Sequence, residues 1–266
     1  MTAQGKATTA GAALDVTILG SGTCVPSLTR SACAVLVETG AARVVLDCGP
    51  GTMRQLLAAG VRVCEVTHLF FSHFHPDHTG EMAAFLFANR YGFSPGRERP
   101  LFMAGGKGQA AFYAACRSVY GQWIELADSL LEIGEFSSSQ ADQRDFPDFT
   151  VITRPVTHRP ESIAFRLESG GRAVVYSGDT DYDENLARLA AGADLFICES
   201  AHPDGCKQDG HLTPGLAGKI AAAAEVKQLV LTHLYPACDQ VDIRQQAAAA
   251  FAGPVTVAED LMRFSL

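Results

Sequence analysis

The fold is decided by THLFFSHFHPDH, residues 67–78, in which an apolar run of strand length leads directly into four potential metal ligands. These ligands are the imidazoles of His73, His75 and His78 and the carboxylate of Asp77. Because Pro76 and the apolar run disfavour one continuous helix, we expect a loop at the carboxyl end of a strand. Imidazole nitrogens and carboxylate oxygens suit Zn²⁺, with iron or manganese as alternatives. A histidine-rich surface loop is the competing interpretation, but this density of ligands favours a metal site.

Three further residues that can bind metal stand at the ends of apolar runs later in the chain. His158 ends TVITRPVTH, Asp179 lies at the end of AVVYSGDT, and His233 ends QLVLTH. Sites in α/β sheets assemble at the carboxyl ends of strands, so we expect these three residues to converge on the first segment. Any one of them alone would more often be an ordinary loop residue, whereas three in succession favour a shared site.

Apolar periodicity predicts an alternation of strands and helices in both halves of the chain. The predicted strands are 15–20, 32–38, 43–47, 67–72, 101–104, 149–156, 162–167, 173–177, 195–199, 229–232 and, as the last, 255–257, and the predicted helices are 52–59, 81–91, 108–120, 183–191, 214–225 and 243–251. Residues 137–143 are the most loop-like internal stretch, and His68, inside an apolar strand, is expected to be a core histidine. The pattern predicts an α/β sandwich of two sheets with helices outside.

The length and composition fit one α/β domain over residues 14–266, since 266 residues that are 47% hydrophobic can bury a sizeable core. Residues 1–13 are small and polar and are expected to form a flexible tail without the apolar core of a signal peptide. No window approaches the ~18 uninterrupted apolar residues that a membrane helix needs, so no membrane partner is expected. A cytoplasmic protein is the default expectation.

The net charge of −8 gives no support for a large nucleic-acid partner, because such binding rests mainly on Lys and Arg neutralising phosphates. The eight cysteines contain no C-x-x-C pair, and a chain of this size needs no disulfide staples, so reduced thiols are expected. Cys33, Cys64 and Cys198 lie in apolar runs typical of buried strands. Cys206, Cys238 and His202 lie in loops near candidate site residues; a surface position is the better expectation for His202.

The order HxHxDH, a later His, the Asp of GDT and a final LTH resembles the metallo-β-lactamase superfamily over residues 15 to about 260. Further stretches resemble its ribonuclease Z and phosphodiesterase branch, namely ILGSGT (18–23), LDCGPGT (46–52), ES (199–200) and GHLTP (210–214). The resemblance implies an αββα sandwich, in which two mixed β-sheets carry helices on their outer faces. It also implies a dinuclear metal site between the sheets.

Carried over by position, the resemblance assigns a role to each candidate site residue. It implies a first metal on His73, His75 and His158, a second on Asp77, His78 and His233, and Asp179 as a bridge between them. The two divalent ions would be Zn²⁺, with Mn²⁺ or Fe²⁺ as alternatives. Asp77 would also orient the attacking water, and His211 would donate to the substrate, although a helix-capping surface histidine is the competing reading. Asp47 is expected to orient a ligand histidine or the glycine loop after it.

The chemistry implied is hydrolysis, in which two metals lower the pKa of a shared water. A small molecule or short nucleotide phosphodiester is the expected substrate rather than folded RNA. Ribonuclease Z enzymes that process tRNA usually carry a long arm between the later His and the GDT Asp, and the interval from His158 to Asp179 is too short for one. The ending after LTH is also altered, to LYPACD.

Other functions remain open at the level of sequence. The same site can hydrolyse lactones, sulfate esters or thioesters. Oxidoreductase relatives with iron usually replace one of these histidines by Glu, so the complete HxHxDH favours a hydrolase. A binding protein that kept only the fold is disfavoured because all seven ligand positions are filled. A homodimer is compatible with the sequence.

Overall fold

The computed structural model describes residues 14–92 and 96–266, so the tail expected at residues 1–13 lies outside the described residues. The first half of the chain contains the strands β1 (Asp15–Gly20), β2 (Ala34–Glu38), β3 (Arg43–Leu46), β4 (His68–Phe71), β5 (Leu101–Gly105) and β6 (Leu131–Glu135), and the helices α1 (Thr52–Ala58), α2 (Pro76–Thr79), α3 (Met82–Tyr91) and α4 (Gln109–Tyr120). Short 3₁₀ turns at Val63–Glu65 and Gly121–Ile124 complete this half.

The second half repeats the alternation. Its strands are β7 (Asp142–Asp145), β8 (Thr150–Pro155), β9 (Ile163–Ser169), β10 (Arg172–Tyr176), β11 (Leu195–Glu199), β12 (Leu229–Thr232), β13 (Val255–Val257) and β14 (Arg263–Ser265), and its helices are α5 (Glu184–Ala190), α6 (Pro214–Ala223) and α7 (Ile243–Ala248), with a 3₁₀ turn at Pro236–Gln240. The strands β9 and β10 fill the interval between His158 and Asp179, as the sequence predicted.

Within the described residues, the strands form two seven-stranded sheets of mixed direction. One sheet has the order β14-β1-β2-β3-β4-β5-β6 and the other β13-β12-β11-β10-β9-β8-β7. In the first sheet β3 to β6 run parallel while β1 to β3 are antiparallel, and in the second β10 to β13 run parallel while β7 to β10 are antiparallel. The predicted αββα sandwich is confirmed.

Side-chain alternation along the strands builds three apolar layers. On β4, Phe70 enters the cluster between the sheets, whereas Leu69 and Phe71 enter the cluster under α1, α3 and α4. On β10, Tyr176 faces the inter-sheet cluster and Val175 the cluster under α5, α6 and α7. Among the described residues, no helix has both the length and the apolar character needed to cross a membrane.

The sequence predictions failed mainly at the edges of the sheets. The strands β6, β7 and β14 were not expected, and β14 follows β13, so 255–257 is not the last strand. The loop-like stretch 137–143 runs into β7, whose sequence DQRD is polar and mostly exposed. All three strands pair through their backbones with β5, β8 and β1. β7 is wholly polar and β14 has three residues, so neither carries an apolar pattern, whereas β6 alternates Leu131 and Ile133 with polar residues, a visible signal that the prediction missed.

His68 lies in an aromatic cluster, as expected of a core histidine. Its ring packs edge-on against Phe146 and Phe149, with centroids 4.5 and 5.0 Å away, and its Nδ1 lies 2.8 Å from the Thr67 hydroxyl. Burial lowers the pKa of His68 to about 4, because the apolar surroundings disfavour the charged imidazole.

This depressed pKa predicts a loss of stability in acid. The unfolded chain protonates His68 near pH 6.5 but the folded chain only near pH 4, so its contribution is complete above pH 6.5 and is lost as the pH falls towards 4. Between pH 7.5 and 4.5, urea unfolding of metal-free protein should show the wild type losing about 2–3 kcal/mol more than His68→Phe. Equal losses in the two proteins would contradict the assignment.

Candidate metal centre

The candidate site residues lie where strands end, at one edge of the two sheets. Asp47 follows β3, His73 follows β4, His158 follows β8, Asp179 follows β10, Glu199 ends β11, and His233 follows β12. Since these strands belong to both sheets, the site is built from the carboxyl ends of strands of the two sheets. The position agrees with the expectation drawn from strand ends in α/β sheets.

The segment HFHPDH is only partly a loop. It leaves β4 at Phe71 and turns into the four-residue helix α2, with His75 before its first turn and Pro76 at the first helical position, where proline is tolerated. Asp77 and His78 therefore sit on a helical turn rather than in the loop that was expected. Gly49 packs against this turn so closely that an added Cβ would overlap the backbone oxygen of Asp77, so glycine is required there.

Four donor residues form the first group of the site. Donor atoms of His73, His75, His158 and Asp179 all lie within 4.8 Å of one another. Oδ2 of Asp179 lies 3.7 Å from His73 Nε2 and 3.9 Å from His158 Nε2. Nδ1 of His158 is 2.9 Å from the backbone oxygen of Gly210, to which it donates, and this bond leaves Nε2 free to bind a metal.

A second group gathers around the other oxygen of Asp179. Oδ1 lies 3.1 Å from His78 Nε2 and 3.3 Å from His233 Nε2. Asp77 joins this group, since its Oδ2 lies 3.6 Å from His233 Nε2. The two carboxylate oxygens of Asp179 thus face different sets of histidines.

Asp47 contacts His78, one of the candidate ligand histidines. Its Oδ2 accepts hydrogen bonds from His78 Nδ1 at 2.7 Å, from the Ser72 hydroxyl at 2.8 Å and from the Tyr176 hydroxyl at 2.7 Å, and its Oδ1 accepts one from the Ser72 backbone amide at 2.7 Å. The bond to Nδ1 leaves His78 Nε2 facing Asp179. Asp47 and His233 both adopt positive φ, 61° and 57°, a strained conformation of the kind that concentrates at functional sites.

Buried polar atoms without partners show that the donor set fits a cation. Among the described residues, His73 Nε2, His78 Nε2, both ring nitrogens of His233 and Asp179 Oδ1 are buried and make no hydrogen bond. Within the same residues, no Lys or Arg lies within 4.0 Å of the buried carboxylates of Asp47, Asp77 and Asp179. Burying such groups unpaired is costly, and divalent cations would satisfy both the nitrogens and the carboxylates.

The protonation states also suit metal binding. Burial lowers the pKa of His73, His75 and His158, which favours the neutral imidazole that a ligand requires. Burial alone would raise the pKa of the Asp179 carboxyl, but the neighbouring His233 and His78 outweigh it and hold that pKa well below its usual range. Asp179 therefore remains a carboxylate at neutral pH.

His211 forms a pair with a buried carboxylate. Its Nδ1 lies 3.1 Å from Glu199 Oε1, and its ring stacks on that of His233 with centroids 5.4 Å apart. Glu199 is held in turn by the backbone amides of Thr180 and Leu212, at 2.8 and 3.0 Å. Burial acts to lower the pKa of His211, but the bond to Glu199 outweighs it and raises that pKa.

The helix-capping reading of His211 does not hold, because Thr213 is the residue that precedes α6, and even its side chain makes no capping bond. The donor atoms of His211, His233 and Asp179 also lie within 4.8 Å of one another, so geometry alone leaves His211 within reach of a metal. The pairing of Glu199 with His211 was not predicted from the sequence, although the ES motif that contains Glu199 was a visible signal.

Cys33 and His202 also lie nearer the site than the sequence indicated. The Cys33 thiol, expected only to be buried, comes within 4.8 Å of donor atoms of His78 and His233 and donates to the Gly22 carbonyl at 3.2 Å. Cys206 is exposed, and the Cys238 thiol donates to the Ala201 carbonyl at 3.3 Å. His202, expected on the surface, is only partly exposed and its ring centroid lies 6.5 Å from that of His211.

Comparison with known families places this centre in a defined class. The family model described as the beta-lactamase superfamily domain matches residues 42–234, which include every candidate metal ligand. The chain therefore belongs to the metallo-β-lactamase superfamily and is a metal-dependent hydrolase of that class. The family fold implies binding of divalent metal.

The relatives point to one branch of the superfamily. A protein of Mycobacterium bovis (strain BCG / Pasteur 1173P2) named ribonuclease Z is 31% identical over 94% of this chain and 97% of its own length. The crystal structure of the short form of human tRNase Z is similar, with a TM-score of 0.77, 25% identity, and coverage of 94% of this chain and 98% of that one. The metallo-β-lactamase fold protein YhfI from Bacillus subtilis shares the fold, with a TM-score of 0.81, 23% identity, and coverage of 96% and 100%.

Proposed function

We propose that the chain is a dinuclear hydrolase that cleaves a small or short phosphodiester. His73, His75 and His158 would hold one ion, Asp77, His78 and His233 the other, and Asp179 both. Zinc is the first choice of metal because histidine nitrogens and carboxylate oxygens are its usual ligands. The observation that carries the proposal is the position of Asp179, whose Oδ2 faces the first set and whose Oδ1 faces the second.

Two bound divalent ions would supply Lewis acidity at the phosphoryl oxygens and a water acidic enough to ionise near neutral pH. The residues of the chain then orient the water and transfer protons. Asp77, whose lowered pKa keeps it a carboxylate at neutral pH, would accept a hydrogen bond from the attacking water. His211 holds Nδ1 against Glu199, which leaves Nε2 as the atom that donates a proton to the departing oxygen. Glu199 fixes the ring and stabilises its charged form, as a carboxylate does in other His–carboxylate pairs.

The assignment of Asp47 as the residue that orients His78 leads to a quantitative prediction. Asp47→Asn removes the negative charge behind Nδ1 while keeping the side-chain shape, so the affinity for metal should fall about 10–100-fold. Competition with a chromogenic chelator measures that affinity directly. Asp148→Asn is the matched control, because Asp148 also accepts several hydrogen bonds. Its partners, Thr39 and Ala41, lie in the turn between β2 and β3, at the end of β3 opposite to Asp47. Equal affinities for Asp47→Asn and wild type would contradict the assignment.

Charge and topology favour a small substrate. The net charge is −8, and Lys207 is paired at 2.7 Å with Asp181, which also accepts the amide of Gly210, the residue before His211. The interval between His158 and Asp179 is occupied by β9 and β10, which leaves no room for a protruding arm that could grip folded RNA. Both features oppose a large polyanionic ligand.

Processing of tRNA is the second candidate function, favoured by one specific observation. The relative named ribonuclease Z matches nearly the whole of this chain and nearly the whole of itself. The active sites of the two proteins would therefore lie in domains of similar size, and their chemistry at phosphorus would be the same. The two candidates differ only in the size of the substrate.

The deciding experiment compares kcat/KM for bis(p-nitrophenyl) phosphate and for a precursor tRNA on one metal-loaded preparation. We expect clear turnover of the small diester, weak or no tRNA cleavage, and only a modest fall in rate between low and high salt. Efficient tRNA cleavage with a steep salt dependence would establish the second candidate instead. Turnover of lactones, sulfate esters or thioesters without turnover of phosphodiesters would move the protein to another branch.

A further inference from the structure

Two aromatic rings stand in contact beside the candidate metal centre. The rings of His202 and Tyr235 are stacked, with centroids 4.6 Å apart and planes at 23°. Tyr235 lies 5.9 Å from the ring of His233, and His202 lies 6.5 Å from the ring of His211. Both side chains are partly exposed. The pair therefore adjoins a proposed metal ligand and the proposed proton donor, and it retains surface for a ligand.

Two hydrogen bonds hold together the loops that carry the two rings. The amide of Tyr235 donates to the carbonyl of Ala201, the residue before His202, at 3.2 Å. The buried Cys238 thiol donates to the same carbonyl at 3.3 Å. The loops after β11 and β12 are thereby joined at the point where each presents its ring. Loops fixed in this way lose little backbone entropy when a partner binds.

A groove next to the pair provides room for a planar group. It has a volume of about 460 Å³ and is lined chiefly by the segment 23–32, together with Pro50, Gly51, Arg54 and Glu81. Cys24 joins the groove to the pair, since its thiol lies 3.9 Å from the Tyr235 hydroxyl. The lining of the groove is partly apolar, through Val25, Pro26 and Pro50.

We propose that His202 and Tyr235 form a stacking site for a planar ring, a nucleobase or an aryl group, that is joined to the phosphodiester at the metal centre. This inference rests on the proposed function and narrows its substrate class. Stacking on an aromatic side chain tolerates different bases, because every base has a π face, and it contributes about 1–3 kcal/mol per base. The position beside His211 places the ring next to the group that donates to the departing oxygen.

The test measures binding rather than turnover. Calorimetry on the metal-loaded protein gives the affinities of adenosine 5′-monophosphate and of methyl phosphate, which share the phosphate but differ in the ring. The ratio of the two affinities cancels any change in metal occupancy. The wild type should bind the nucleotide more tightly, and Tyr235→Leu should reduce the ratio on the order of tenfold while leaving methyl phosphate affinity unchanged. Tyr235→Phe should keep the ratio.

Two further variants complete the design. His202→Ala should lower the ratio about fivefold and serves as the readout should Tyr235→Leu fail to fold. Tyr120→Leu, which removes a more exposed tyrosine ring at the end of α4, should leave the ratio unchanged. Unchanged ratios in both Tyr235→Leu and His202→Ala would overturn the stacking site. The proposed function fails separately, if the wild type neither binds methyl phosphate nor cleaves any phosphodiester.

Discussion

Asp179→Ala is expected to lower metal content and phosphodiesterase activity together, and activity should fall on the order of 10³-fold or more. The carboxylate faces both donor groups, through Oδ2 to His73 and His158 and through Oδ1 to His78 and His233. Its removal therefore weakens both proposed metal positions at once. Loss of Lewis-acid stabilisation worth several kcal/mol corresponds to a rate change of this size.

Elemental analysis after dialysis into metal-free buffer, paired with kcat/KM on bis(p-nitrophenyl) phosphate, measures both effects on the same sample. Asp128→Ala, at an exposed carboxylate remote from the donor groups, should retain both metal and activity. Circular dichroism checks that Asp179→Ala still folds, and Asp179→Asn repeats the test with the side-chain shape retained. A fully loaded wild type that contains at most one metal per chain would refute the dinuclear proposal.

His211→Ala should separate proton donation from metal binding. We expect the variant to keep its fold and both metals while kcat falls about 10²–10⁴-fold, the usual contribution of a general acid. The reason lies in the pairing of His211 Nδ1 with Glu199 at 3.1 Å, which gives the ring a partner in the protein and directs Nε2 away from it. Gln208→Ala, an exposed residue of the same loop, should leave kcat unchanged.

Metal analysis of the same variant decides whether His211 is a metal ligand or a proton donor. Because His211, His233 and Asp179 also bring donor atoms within 4.8 Å of one another, His211 could in principle be a ligand. Loss of metal from His211→Ala would identify it as one, and the second site would then need reassignment. Retained metal with lost turnover would support the proton-donor role, and Glu199→Gln should then show a smaller loss of kcat at full metal content.

Local patterns were enough to predict most of the fold. Central strands such as β1, β11 and β12 were predicted at the bounds that the structure has, because strands buried on both faces are nearly continuous apolar runs. The edge strands β7 and β14 escaped prediction, since they form through backbone pairing with a neighbour and carry no apolar pattern, whereas the alternation of Leu131 and Ile133 in β6 was a visible signal that the prediction missed. The segment HFHPDH was recognisable as a ligand cluster, but its helical turn was not, because four residues carry no periodicity.

The candidate metal ligands could be identified from local sequence, because ligand chemistry belongs to side-chain type and the candidates follow apolar strands, either closely or within the HFHPDH segment. Their division into two groups was implied by the family resemblance, whereas the distances within and between the groups are set by the tertiary structure. The two oxygens of Asp179 point to different histidine groups, Glu199 lies behind His211, Cys33 approaches His78, and His202 stacks on Tyr235. Each of these contacts joins residues far apart in the chain or on different loops, and its geometry depends on the register and packing of two sheets. No local pattern encodes such distances, so they emerge only when both sheets are assembled.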